Sequence, residues 1–347
     1  MNGVLTGAAR RSVMSVLALA VVAISAAPAA ADVTGPAVIA GPTEPTVSTP
    51  ERVTAKALPR FSLSIGDAYR FRGRAYVLPR AKVTVRGAVN ADLDGQTITV
   101  TVTKRGKTVS SDRVRLESRA GKTSFTARVR AGKRGKYLVG VELTPEAAAI
   151  ADAPPAKSLS VTKSNISRGA KSVSVRVIQS KLAKLKYVVP RGGRFDAATG
   201  RALLAFRKAN RMKRIEAAGS KVAGKLAANE GSFKLRYKNA GRHIEVSLGR
   251  QVMVLADKGR VLRTYHVSTG TASTPTVRGT YRVYRKDYGT NAKRMVHSSY
   301  FIRGYAIHGF DPVPIYNASH GCVRVPVPNA ASIFKWVRMG TRVDTYR

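Results

Sequence analysis

The sequence predicts a multidomain, mainly β chain. It would hold an N-terminal β-sandwich, a small three-helix module and a mostly-β C-terminal domain. Three observations lead there. Apolar residues alternate with polar ones from about residue 60 to 163 and again from His243 onward, the period of a half-buried strand. Between about 166 and 230 the spacing lengthens to that of a helix. The length, 347 residues, suffices for two or three domains, and a 44% hydrophobic content supplies them with cores.

Residues 1–31 read as a secretory signal. Arg10 and Arg11 form a short basic stretch, Ser12 to Ala26 is apolar, and "APAAAD" offers small residues for cleavage after Ala31. The apolar run is shorter than the roughly 20 residues of a comfortable membrane span. An uncleaved anchor is the alternative; on either reading the rest of the chain is expected outside the cytoplasm, secreted into the cell wall or periplasmic space. Residues 32–56 carry Pro36, Pro42, Pro45 and Pro50 among small residues and read as an extended linker.

In residues 57–164, Val83, Val85 and Val89 share one face, and Ile98, Val100 and Val102 alternate with threonines. Phe125, Ala127 and Val129 repeat the pattern, followed by Tyr137, Val139, Val141 and Leu143. Turn signals at 92–95, 104–107 and 131–136 separate the runs. Short alternating strands with regular turns predict an antiparallel, immunoglobulin-like sandwich. No catalytic constellation stands out in it.

In residues 166–230, Val175, Ile178, Leu182 and Leu185 make one helical stripe. Asp196 is placed to cap a second helix from Ala197, with Leu203 and Phe206 facing inward. Val222 and Leu226 mark a third at about 218–228. In residues 240–347, Ile244, Val246 and Leu248, then Val252, Val254 and Val261, alternate as strands around the turn "DKG" at 257–259. Further strands are expected in 279–285 and 299–310. A helix over "NAASIFKWVRMG" would be capped by Asn329 and stopped at Gly340.

The stretch "YAIHGFDPVPIYNASHGCVRV" (305–325) concentrates the chemistry. It holds two of the five histidines, His308 and His320, and the one cysteine, Cys322. A lone cysteine in an exported chain cannot form an internal disulfide and stands out as reactive. A thiol attacks carbonyls as thiolate, and a neighbouring imidazole can take its proton. On a strand, His320 and Cys322 would share a face. Amides around Gly321 and Cys322 could hold an oxyanion. Asp311 is the one carboxylate nearby, and a backbone carbonyl could orient the base instead. Two other readings stay open on these residues: a zinc site of Cys322, His308 and His320, and a structural cluster.

Two resemblances narrow the choice. "VIQSKLAKLKYVV" followed by "GGRFDAATGRALLAFRKANRM" resembles the peptidoglycan-binding domain 1 family. It keeps Gln179, Phe195, Asp196, Thr199 and Phe206, with Arg207 where that family usually has Gln. "IHGFDPVPIYNASHGCVRV" resembles the signature of the L,D-transpeptidase (YkuD) catalytic domain, an upstream His and then Ser/Thr-His-Gly-Cys-apolar-Arg/Asn. "IEVSLGRQVMVLADKGRVLRTYHVSTG" is similar to that domain's opening strands. One departure is Thr276-Val277-Arg278-Gly279 where the family usually has Thr-Pro-x-Gly. The resemblance implies Cys322 as nucleophile and His308 as general base and later acid. It implies support of site or substrate by Ser319, His320 and Arg324, with Gly321 and the Cys322 amide at the oxyanion. It further implies a cysteine-dependent transferase acting in cell wall biogenesis. That enzyme would form 3→3 peptidoglycan cross-links with no metal or organic cofactor, partnered by peptidoglycan stem peptides. An L,D-carboxypeptidase using the same site and a non-catalytic wall-binding scaffold are the alternatives. His243, His266 and His297 match no motif position.

The net charge is +42. The basic residues are interleaved through strands and linkers without an RNA-binding aromatic motif, which argues against nucleic acid. Anionic wall polymers are the better expected partner.

Overall fold

The computed structural model describes residues 57–347, and residues 56–347 make one compact unit. The signal and linker readings (1–31 and 32–56) lie outside the described residues.

The first 100 or so described residues form β1 (Ser64–Ile65), β2 (Tyr69–Phe71), β3 (Arg74–Val77), β4 (Lys82–Val89), β5 (Thr97–Lys104), β6 (Lys107–Arg115), β7 (Glu117–Arg119), β8 (Lys122–Arg130), β9 (Gly135–Leu143), the short helix α1 (Pro145–Ala148) and β10 (Lys157–Val161). They build a four-stranded sheet, β1-β4-β8-β7, and a six-stranded sheet, β2-β3-β10-β9-β5-β6. Every alternating apolar set read from the sequence points inward: Val83, Val85, Ile98, Val100, Val102, Ala127, Val129 and Val139 are all buried. The sandwich is not wholly antiparallel. β10 pairs antiparallel with β9, from which α1 leads to it, and parallel with β3, from which β4 to β9 separate it in the chain.

Three helices follow: α2 (Val173–Lys184), α3 (Ala197–Ala209) and α4 (Ser220–Ala227). Asp196 caps α3, its Oδ1 accepting from the Thr199 N–H at 2.8 Å, a contact worth about 1 kcal/mol. Gln179 is fully buried and satisfied. Its amide donates to the Arg194 carbonyl and Thr199 Oγ1, and its oxygen accepts from the Gly193 N–H. Arg207 donates to the Ala217 and Lys213 carbonyls, so its charge closes a loop.

The C-terminal part contains β11 (His243–Ser247), β12 (Val252–Asp257), β13 (Arg260–His266), β14 (Gly279–Arg282), β15 (Arg285–Thr290), β16 (Val296–Ile302), β17 (Tyr305–Phe310), β18 (Val323–Pro326), α5 (Val327–Trp336) and β19 (Arg342–Tyr346). Two sheets result, ordered β13-β12-β11-β19-β14 and β15-β16-β17-β18. Lys258 and Gly259 both take positive φ in the β12–β13 turn, the geometry a two-residue hairpin requires. The stretch 279–285 divides, its halves joining different sheets. α5 packs against β16, β17 and β18. Its start corrects the sequence expectation: Pro326, not Asn329, occupies the cap, and the helix ends at Trp336 rather than Gly340. Pro328, inside the first turn, has φ fixed near the helical value and lacks an N–H that would go unpaired there, which moves the start upstream of Asn329. Among the described residues no helix is long and apolar enough to cross a membrane.

Candidate active site

The site is built where β17 and β18 run parallel. In that register Ile307 faces Val323 and His308 faces Arg324. Parallel neighbours need a long connection; here it is residues 311–322, which carry Ser319, His320, Gly321 and Cys322. The Cys322 Sγ lies 3.5 Å from the Ala306 amide nitrogen, which donates to it, and 3.9 Å from the Gly304 carbonyl. Ala306 and His308 sit two apart on β17 and so share a face. Thus 14 residues of sequence separation close into adjacent chain segments.

His308 is 3% exposed, and its Nδ1 stands 3.0 Å from the Gly309 carbonyl. A carbonyl only accepts, so Nδ1 carries the proton and Nε2 keeps its lone pair. The ring packs edge-on to Phe310, and the Arg324 guanidinium lies 4.2 Å over the other side of that network, on the Phe310 ring. Burial, helped by the Arg324 charge, pushes the imidazole down to about 4, against the Gly309 contact. Burial raises the Cys322 thiol above its ordinary 9.0, although the Ala306 N–H and the charges of Arg324 and Lys293 pull the other way. The resting pair is therefore a neutral thiol and a neutral imidazole, with no hydrogen bond between them among the described residues.

The loop before Cys322 is held from three sides. The Ser319 hydroxyl donates to the Cys322 carbonyl at 2.5 Å and accepts from the Gly321 N–H at 3.2 Å. Gly321 has φ +110°, and a Cβ there would come within 2.4 Å of the Tyr305 ring. Thr276 Oγ1 donates to the Gly321 carbonyl and accepts from the Gly270 N–H. Behind it, Ser268 exchanges two backbone hydrogen bonds with Arg324, and Asn317 donates to the Gly270 carbonyl.

These contacts bring together Cys322, His308, Ser319, Gly321 and Arg324, and revise two expectations. His320 is exposed and lies in a bend, so the strand alternation that would have put it on the Cys322 face does not apply. The Gly321 N–H is occupied by Ser319, which removes it as an oxyanion donor; the Cys322 N–H makes no hydrogen bond among the described residues. Asp311 is exposed, and the Gly309 carbonyl takes the place of a carboxylate beside His308. Cys322, His308 and His320 do not converge as a ligand set, and no group of three or more His, Cys, Asp or Glu that could hold a metal occurs among the described residues.

Sequence reasoning passed over Tyr305, Thr276 and Asn317. Thr276 lies in the segment noted only for its missing proline, yet its hydroxyl is the link between "VSTG" and the cysteine loop. Gly270 carried the available signal: a Cβ there would meet the Thr274 carbonyl at 2.2 Å.

The other three histidines have other partners. His243 and Glu245 form a buried pair at 3.3 Å. His266 meets Lys208 at 3.0 Å. His297 packs on Tyr288 and Phe334.

Comparison with known protein families gives a match in the C-terminal region. Residues 241–344 match the model of the YkuD L,D-transpeptidase catalytic domain. No curated protein matches the chain. Among solved structures, an L,D-transpeptidase from Xylanimonas cellulosilytica is 29% identical, with TM-score 0.49, covering 53% of this chain and 98% of its own. One from Stackebrandtia nassauensis is 17% identical, with TM-score 0.35, covering 54% and 98%. One from Mycobacterium smegmatis is 12% identical, with TM-score 0.28, covering 83% and 99%. The matched residues run from β11 into β19 and take in the whole Cys322 loop, so residues 241–344 of this chain are a YkuD L,D-transpeptidase catalytic domain.

Proposed function

We propose that the chain is a cysteine-dependent L,D-transpeptidase that forms 3→3 peptidoglycan cross-links through a Cys322 thioester. The observation that carries this reading is the family match over 241–344, which contains both His308 and Cys322.

The electrostatics favour general-base catalysis over a stored ion pair. His308 Nε2 takes the thiol proton as Cys322 Sγ bonds to the carbonyl carbon of the third stem residue. The Cys322 amide, unpaired in the fold, donates to the developing oxyanion. Collapse breaks the peptide bond; the departing D-alanine amine takes the proton from His308, and the thioester remains. An amine from a second stem gives its proton to His308, attacks the thioester and expels the thiolate, which recovers a proton. Water in place of that amine would make the chain an L,D-carboxypeptidase. Ser319 shapes the loop, and Arg324 brings positive charge to the thiol; His320, exposed beside the cysteine, would meet substrate.

Residues 166–230, read as peptidoglycan-binding, and the sandwich at 57–164, read as immunoglobulin-like, would position the domain on the wall after export. The +42 charge favours anionic wall polymers as further partners.

Intact-protein mass spectrometry with a stem tetrapeptide tests the reading. A covalent adduct and release of D-alanine are expected, both absent in Cys322→Ala and slowed in His308→Ala. A dimeric peptide on adding an amine acceptor identifies the transpeptidase. Folded protein that yields neither adduct nor D-alanine sinks the enzyme and leaves the wall-binding scaffold.

A further inference from the structure

A cleft of about 600 Å³ is formed by the end of α3, the turn after β11 and the last residues of β19; no residue of 311–322 lines it. Seven of its eleven lining residues are Lys or Arg, and none is Asp or Glu. None of the seven forms an ion pair among the described residues. A second cleft, of about 1030 Å³, has as many cations spread over twenty-one lining residues and includes Asp67 and Glu230. The smaller cleft is thus the more concentrated field, with one carboxylate, Glu245, buried behind Arg236 and Tyr346.

Its cations are held by neutral groups. Lys208, 2% exposed, donates to the Val267 carbonyl at 2.9 Å. Arg214 donates to the Ile315 and Gly249 carbonyls. Arg236 lies over the Tyr346 ring and Arg250 over Phe233. These contacts fix the side chains without cancelling their charge. Burial and the nearby Arg214 charge bring Lys208 down to about 7, so this buried amine, held on Val267 and His266, stiffens the cleft wall while the other six side chains supply its charge.

We propose that this cleft binds a phosphodiester-linked polyanion, with Arg211, Arg214, Lys234, Arg236 and Arg250 as its ligands. Guanidinium forks match phosphate oxygens two at a time, and so many cations call for several charges along one ligand. The chemistry is that of a polyol phosphate chain rather than a nucleic acid. The single lining aromatic, Tyr346, has one face under Arg236 and its hydroxyl on Glu245, so bases would find no free stacking surface. The inference gives a place to the anionic partner that net charge alone suggested, and its test stands apart from the transpeptidase reading, because Arg214, which holds the Ile315 carbonyl, is left intact in every variant.

Isothermal titration of the chain with a glycerol-phosphate oligomer tests it, alongside inorganic phosphate and single-stranded DNA of equal charge. The variant Arg211→Gln/Lys234→Gln/Arg236→Gln removes three exposed cleft cations. Arg113→Gln/Arg119→Gln/Lys122→Gln removes three exposed sandwich cations as a control. Saturable oligomer binding is expected, weakened about tenfold or more in the cleft variant and little changed in the control. Acyl-enzyme formation should be the same in all three proteins. Equal weakening in the control would mean diffuse attraction and overturn the proposal. So would inorganic phosphate or DNA binding as tightly as the oligomer. Melting temperatures verify folding, and the single Arg211→Gln replaces the triple variant if that one melts early.

Discussion

β8 of the sandwich and β11 of the catalytic domain have similar sequence rhythms and opposite environments. In β8, "KTSFTARVR", Phe125, Ala127 and Val129 are buried while Lys122, Arg128 and Arg130 face solvent. In β11, "HIEVS", all five residues are buried. Ile244 and Val246 join the main core, residues 232–240 close over the opposite face, and β19 lies beside β11 in the sheet. There Glu245, fully buried, accepts from the Arg236 and Tyr237 N–H groups, from the Tyr346 hydroxyl and from His243 Nε2. Alternation therefore identifies a strand, while what covers the second face decides whether its polar residues are decoration or structure.

The largest test of that contrast sets two crowded glycines against each other. Gly321→Ala should cut acyl-enzyme formation per folded molecule about hundredfold, the scale on which a misplaced nucleophile costs rate, and its positive φ and the Tyr305 ring should also lower stability by about 1–3 kcal/mol. Gly87→Ala, whose Cβ would come within 2.3 Å of the Phe125 ring, should lower stability by about 2 kcal/mol and leave the rate per folded molecule unchanged. Equal effects on rate would erase the distinction between the two regions.

The next test compares polar positions within the strands. Glu245→Gln should cost about 3 kcal/mol by breaking a buried, saturated pair. Arg128→Gln should stay within about 0.5 kcal/mol. Chemical denaturation measures both, and a small Glu245 effect would show that the cover over β11 is loose.

Acid sharpens the same comparison more gently, because all five histidines lie at or beyond His243. His266 is held down to about 3 and His308 to about 4, each chiefly by burial. Both bind fewer protons folded than unfolded below the ordinary imidazole value of 6.5, so their contribution is complete above 6.5 and drains away as pH falls toward 4. Glu245, held below 4.5, works in the same direction at lower pH; His243, raised by Glu245, works oppositely above 6.5. Hydrogen exchange at pH 4–5 should open the catalytic sheets before the sandwich. At the site itself, alkylation of Cys322 by iodoacetamide should rise only as the thiol ionises in alkali. A flat, fast rate from pH 5 to 8 would reveal a thiolate–imidazolium pair and replace the general-base description.

Most of the fold was legible because its strands and helices satisfy local rules. The sandwich alternation, the α3 cap at Asp196 and the hairpin at Lys258-Gly259 each depend on a few neighbouring residues. The parallel β10–β3 pair was not legible, since pairing direction follows from where a crossover re-enters. The start of α5 was misjudged because Pro326 competes with Asn329 and backbone geometry decides between them. At the site, the motif singled out Cys322, His308 and Ser319 because their spacing is a property of the chain. The exposure of His320 and the occupied Gly321 amide depended on the bend that residues 319–322 adopt.

By itself, the sequence determined which segments become strands and helices, and which thiol and imidazole belong to one motif. Periodicity and spacing are properties of the chain. Only the tertiary structure decided the protonation of that pair, the duty of Thr276, the burial of Glu245 and the gathering of seven cations into one cleft. Each depends on desolvation or proximity among residues far apart in sequence, and these exist only once the chain has closed around them.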